Sequence, residues 1–313
     1  LLHSATTRAC VFGTCHKDAT LWLMEQMEKA GLAGYVGKVN MDRNSSRGLC
    51  EKSAEASAKD TEAWILESEK FSNIRPILTP RFIPTCSDEL MERLSKLQKR
   101  YGLPAQSHLS ENLSEIEWVR ELQPKASCYG DAYRIHGLFG GDCPTIMAHC
   151  VYSSEEEIGM MKEQGVFIAH CPESNANLSS GIAPAKRYLE MGMKMGLGTD
   201  VAAGSSLSMF RVMAMAIQCS KLRWRLADQS IKPLTVEEVF YLATKGGGEF
   251  FGTVGSLEAG YEFDAVVIDD SRIRHARTLS VRDRLERLIY LDQDAVIEAK
   301  YVKGKQVTGI RKQ

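Results

Sequence analysis

The sequence predicts an α/β protein built on a (β/α)8 barrel, and three observations carry that prediction. Short apolar runs each end on a polar residue able to do chemistry: ILTPR (77–81), QSHLSEN (106–112), TIMAH (145–149) and MGLGTD (195–200). An Arg, two His, a Glu and an Asp delivered by successive strand ends is how a parallel sheet or barrel assembles a site. These runs alternate with amphipathic segments, and near-continuous apolar strands separated by helices indicate a parallel sheet covered on both faces. Finally, the polar strand ends recur too evenly for an open sheet with one switch point.

Taken in order, strands are expected at 7–14, 34–42, 75–82, 104–108, 145–149, 166–170 and 194–200. That is one fewer than the barrel needs, so the expected architecture is a barrel lacking its first strand. Ser87 reads as an N-cap, with Asp88 and Glu89 in the first turn of the helix that follows. Leu90, Met91, Leu94 and Leu97 form its apolar face, and Lys99 and Arg100 precede the stop at Gly102. Ser154-x-x-Glu157 reads as a capping box and Gly165 as the matching stop. Thr235-x-x-Glu238 is a second box, opening a helix through Phe240 and Leu242 that is expected to end at the glycines 246–248. Those glycines follow a helix rather than a strand, so a phosphate loop is not indicated. Beyond residue 254 the character changes. Segments 257–268 and 299–307 look like strands of a small β unit, with a solvated loop and surface helix over 272–287. The expected division is therefore a barrel over 1–254 and a C-terminal extension over 255–313 that contributes to a small β-sandwich domain.

Bulk properties narrow the function classes. A net charge of −1 over 313 residues indicates neither a nucleic-acid nor a membrane-surface partner. Nine scattered cysteines with no CxxC pair argue against a disulfide framework and against a thiolate zinc site. A reducing cytoplasm is the simplest setting. There is no signal-peptide pattern and no apolar run long enough to span a bilayer.

Among the chemistry-bearing residues, His108 with Glu111 is the strongest pair. A neutral imidazole can bind a divalent metal, and a carboxylate beside a metal-bound water can move its proton. Asp200 follows a run of small residues, Gly196-Leu-Gly198, and could close a metal site, act as a base or cap the next helix. His149 could bind metal, stabilise developing charge or sit satisfied in the core. Arg81 is a permanently charged fork suited to a carbonyl or carboxylate, or to a salt bridge at the barrel rim. His170 is read as structural. Cys171, followed by Pro172 and lacking a paired base, is not read as a nucleophile. The H-x-E with P-C-x-x-C signature of the cysteine-ligated zinc deaminases is absent.

At these residues the chain resembles the amidohydrolase superfamily and, within it, the guanine-deaminating branch. The supporting segments are GKVNMD (37–42), TPRF (79–82), QSHLSEN (106–112), MAH (147–149), HCPESN (170–175), GTD (198–200), G-x-L-E-x-G (255–260) and FDA (263–265). The resemblance runs from about residue 5 to the end of the chain, and TPRF together with QSHLSEN marks the guanine-specific branch. It implies an amidohydrolase barrel with one zinc per subunit, with His108 and Asp200 as metal ligands. It also implies Glu111 as proton shuttle, His149 beside the attacking hydroxide, and Asp200 in the catalytic set. Arg81 and Phe82 would grip guanine, with His108, Glu111 and Asp200 bordering it. Guanine is then the small-molecule partner, the products are xanthine and ammonia, and a homodimer is compatible with the resemblance.

One departure stands out. The superfamily pattern begins with an HxH pair on the first strand, but only His3 and His16 precede His108, and neither belongs to such a pair. Two ligands are too few for catalytic zinc. The 313-residue chain is therefore expected to be an incomplete copy that neither retains stoichiometric zinc nor deaminates guanine alone. The alternatives are an aminohydrolase or chlorohydrolase acting on another purine, a pyrimidine or a triazine, and an inactive barrel remnant or interaction module.

Overall fold

The computed structural model describes residues 1–46 and 48–307. They fall into two units, one made of Ala9–Lys29 and Ala33–Ala169, the other of Leu1–Arg8, Ala30–Leu32 and the chain from His170 onward.

The first unit carries most of the parallel strands: β1 (Arg8–Phe12), β2 (Ala33–Gly37), β3 (Val39–Asn40), β4 (Ile74–Pro76), β5 (Thr79–Pro80), β6 (Ala105–Leu109), β7 (Thr145–His149) and β8 (Phe167–His170). β2 pairs in parallel with β4, β3 with β5, and β6 with β7, which in turn pairs with β8. Two expected long strands are each broken in two. Segment 75–82 is interrupted because Pro76 and Pro80 carry no backbone donor for the ladder. The run nevertheless continues, because the Leu78 amide donates to Pro104 (3.0 Å) and the Gln106 amide to Leu78 (2.9 Å). Segment 34–42 breaks at Lys38, which is wholly buried and ion-paired to Glu51 at 2.6 Å. Beside it Gly37 packs so tightly on Thr79 that a Cβ would lie 1.7 Å from the hydroxyl oxygen. Among the described residues no pairing joins β8 back to β1. The α/β expectation with parallel strands thus holds, while closure into a ring is absent from this pairing.

Helices Lys17–Lys29, Ala54–Ser68, Asp88–Tyr101, Leu113–Leu122 and Glu155–Gln164 cover the strands. Their buried faces include Met24, Trp64, Ile65, Leu90, Leu94 and Met161. Helix Asp88–Tyr101 has the expected ends: the Ser87 hydroxyl accepts from the Leu90 amide, and Gly102 closes it in the left-handed conformation.

The second unit contains β9 (Met195–Leu197), the helix Met209–Leu226 and an antiparallel sheet of β10 (Ala265–Asp269), β11 (Val296–Val302) and β12 (Lys305–Gln306). The expected strand 257–268 forms only from Ala265; Gly260 at φ +92° lies in the turn before it. Segment 299–307 is not one strand but a hairpin. Lys303 and Gly304 both have positive φ, which supplies the backbone twist of a tight two-residue turn. The helix Val281–Tyr290 fills most of the charged segment, as expected. The glycines 246–248 do not end the helix that Thr235 opens. A π turn over Leu242–Gly246 carries it onward, and a Cβ on Gly246 would stand 3.0 Å from the Met195 carbonyl.

Candidate active site

Three adjacent strand ends of the first unit bring together most of the site residues read from the sequence. Arg81 follows β5, His108 lies in β6 and His149 ends β7. His108 Nδ1 is 2.6 Å from the Arg81 carbonyl oxygen. A carbonyl can only accept, so Nδ1 carries the proton and the lone pair resides on Nε2, the arrangement of a metal-binding imidazole. The strand itself is braced from below. The Tyr133 hydroxyl donates to the His108 carbonyl (2.8 Å), and the Ser107 hydroxyl, which donates to the Pro80 carbonyl (2.7 Å), lies 2.8 Å from the Tyr133 hydroxyl.

The His108 and His149 rings stack with centroids 5.3 Å apart and planes 19° from parallel. Phe12 lies 4.9 Å and Phe82 6.4 Å from the His108 ring. His149 is buried, and its Nε2 is 3.7 Å from a Glu111 carboxylate oxygen. That distance is longer than a hydrogen bond and becomes an ion pair when the imidazole is protonated. The exposed Arg81 guanidinium lies over the Phe82 ring at 5.1 Å, and Phe82 meets Trp118 edge-on at 6.3 Å. A planar cation and an aromatic face at one edge of the cluster suit a flat polar heterocycle.

Backbone strain falls at three positions here: Ser110, His149 and Cys150 have φ between +47° and +75°, a region costly for residues with a side chain and common at functional sites. The strained loops after β6 and β7 are tied together: the Cys150 amide donates to Leu109, and the Val151 and Tyr152 amides both donate to Ser110. Two buried carboxylates lie behind them. Burial lifts the Glu115 carboxyl to about 7, against the lowering effect of a 2.6 Å hydrogen bond from the Tyr129 hydroxyl. Burial also raises Glu157, opposed by donors that include the Ser110 hydroxyl and the Gly130 amide.

Asp200 belongs to the second unit, three residues beyond β9. The cap alternative for it is removed, because the next helix is capped by Ser208, whose hydroxyl accepts from the Arg211 amide. Gly198 earns its place before Asp200, since a Cβ there would sit 2.8 Å from the Cys171 sulfur. Cys171 and His170 are both buried, and His16 lies exposed in a loop.

Catalytic zinc needs at least three protein ligands. Among the described residues no group of three or more His, Cys, Asp or Glu side chains is arranged to hold a metal ion. His108 fits such an ion through its preset Nε2; the described donor set as a whole does not complete a zinc centre.

Sequence reasoning missed Phe12, Trp118, Tyr133 and the inward turn of Glu157. Trp118 carried the one available signal, an aromatic residue following QSHLSEN by half a helix and left 37 % exposed. Glu157 gave a misleading one. Its box closes only halfway: the Ser154 hydroxyl accepts from the Glu157 amide, but the carboxylate turns to Ser110 and Gly130.

With this geometry in place, the amidohydrolase family model matches residues 1–307. The chain belongs to the amidohydrolase family. Within it, the chain is similar to guanine deaminases: 40 % identical to that of Mus musculus, over 98 % of this chain and 70 % of the relative, and 34 % identical to that of Escherichia coli K12, over the same shares. A crystal structure of guanine deaminase from C. acetobutylicum with guanine bound in the active site superposes with a TM-score of 0.92 at 48 % identity. That match covers 97 % of this chain and 72 % of the other.

Proposed function

We propose that this site hydrolyses guanine to xanthine and ammonia, acting on a cyclic amidine C–N bond. The observation that carries the reading is the contact of Glu111 with His149 at 3.7 Å beside the prepolarised His108, in a chain similar to guanine deaminases. Water adds to the amino-bearing carbon as Glu111 takes one of its protons and gives it to the adjacent ring nitrogen. The remaining proton of the added hydroxyl passes to the amino nitrogen, the carbon–nitrogen bond breaks, ammonia leaves and the xanthine carbonyl forms. His149, held against Glu111, donates to the oxygen being added, and a protonated imidazole there strengthens both contacts. Arg81 supplies a fork for the ring carbonyl and Phe82 a face for the ring.

Zinc is the cofactor this reading calls for, with His108 and Asp200 proposed as two of its ligands. The parallel strands are taken as part of an amidohydrolase (β/α)8 barrel over 1–254, with 255–313 contributing to a small β domain. A reducing, cytoplasmic setting is proposed from the scattered cysteines without a CxxC pair; among the described residues no helix is long and apolar enough to cross a membrane. A homodimer is the assembly proposed.

Arg81→Ala tests the substrate assignment. In the protein assayed with added zinc, guanine KM should rise about ten- to a hundredfold with a smaller change in kcat, as expected for loss of a charge-assisted hydrogen bond. Unchanged guanine turnover in this variant would mean the substrate is misassigned.

A further inference from the structure

Two segments of this chain share the pattern Ser/Thr-x-x-Glu at a helix start, and only one behaves as that pattern dictates. At Thr235 the box closes, with the Glu238 carboxylate accepting from the Thr235 amide at 2.9 Å. At Ser154 the glutamate departs. Glu157 is 1 % exposed, and its two oxygens accept separately, one from the Ser110 hydroxyl at 2.7 Å and one from the Gly130 amide at 2.7 Å. Burying a carboxylate is expensive unless each lone-pair direction finds a donor.

Both donors lead to the site. Ser110 is the residue before Glu111, held at φ +47°, and its carbonyl accepts from Val151 and Tyr152, just past His149. Gly130 lies in the first turn of the helix Tyr129–Arg134, whose N-cap residue Cys128 makes no side-chain capping bond. Tyr133 of that same helix supports the His108 carbonyl. One carboxylate therefore anchors the loop bearing Glu111 and the helix bracing His108.

We propose that Glu157 is a positioning residue for the deamination reaction, fixing Glu111 against His149 through Ser110; this rests on the function proposed above. It touches no reacting atom, so its removal misplaces the proton shuttle without loosening the grip of Arg81 and Phe82 on the purine.

The test is steady-state kinetics of the native, zinc-loaded protein together with amide hydrogen exchange. Glu157→Ala should lower kcat about ten- to a hundredfold with KM for guanine changed less than about twofold, the cost of a small displacement at a reacting centre. Glu157→Gln should recover most of kcat, because its oxygen can still face Gly130 while its amide donates to the Ser110 hydroxyl, which can accept. The Val151 and Tyr152 amides should exchange at least about tenfold faster in Glu157→Ala, reporting local opening. A rise in KM at constant kcat, a Gln variant as impaired as the Ala variant, or unaltered exchange at Val151 and Tyr152 would each overturn the proposal. If the wild-type protein leaves guanine untouched, the functional reading falls by itself, and the exchange experiment still decides whether Glu157 positions the loop.

Discussion

A histidine whose Nδ1 is bonded to a carbonyl has its tautomer chosen before any ligand arrives. His108 is such a residue, held by Arg81 at 2.6 Å, and the residue that fixes it also presents its guanidinium beside Phe82. In the proposed function, recognition and chemistry are thus coupled through one backbone segment. Glu111 has the opposite character, a half-buried carboxylate at 3.7 Å from His149, close enough to exchange a proton through a small approach. Glu111→Gln keeps the shape and removes the proposed base. Guanine binding should survive while kcat falls about a hundred- to ten-thousandfold; kinetics with a separate guanine binding isotherm would show it, and a variant retaining wild-type kcat would remove Glu111 from the shuttle role. The placement of Arg81, His108 and His149 at or near neighbouring strand ends was legible because a short strand-like run leads into each, a strictly local pattern. Tyr133 and Glu157 were not, because their bonds to His108 and Ser110 span 25 and 47 residues of chain. No window along the sequence contains both partners.

Local signals served elements in proportion to how locally each element is determined. The ends of helix Asp88–Tyr101 were legible to the residue, since Ser87 and Gly102 act on their own backbone neighbours. The long strands were legible in place but not in continuity, because interruption depends on which donors face a partner: Pro76 and Pro80 withhold theirs, and Lys38 turns inward to Glu51. The hairpin at Lys303–Gly304 was hidden inside an apparently uniform strand pattern. Helix Leu113–Leu122 carries a testable strain of its own. Its buried Glu115 titrates at about 7, raised chiefly by burial from an ordinary 4.5. The folded state therefore holds this proton more tightly than the unfolded chain, and stability falls as pH rises from about 4.5 through 7, on the order of 3 kcal/mol in all. Glu115→Gln keeps an oxygen for the Tyr129 hydroxyl and has no charge to bury. Melting temperatures should match wild type near pH 4.5 and exceed it by several degrees at pH 8; equal values at both pH values would contradict the burial argument.

At the scale of the molecule, one unit gathers Arg81, Phe82, His108, Glu111 and His149 at adjacent strand ends, and the other carries Asp200 at φ +46° beyond β9. The parallel α/β architecture was readable from alternating apolar strands and amphipathic helices. Closure of those strands was not, because it depends on pairing between distant segments rather than on any one of them. The proposed metal follows the same logic: a preset His108 suits a metal ion, while a complete ligand set is a property of several strands at once. The central claim is that this site deaminates guanine, and product stoichiometry addresses it most directly. Zinc-loaded native protein incubated with guanine should release xanthine and ammonia in equal amounts. Ammonia from adenine or a triazine with none from guanine, or no xanthine at all, would contradict it.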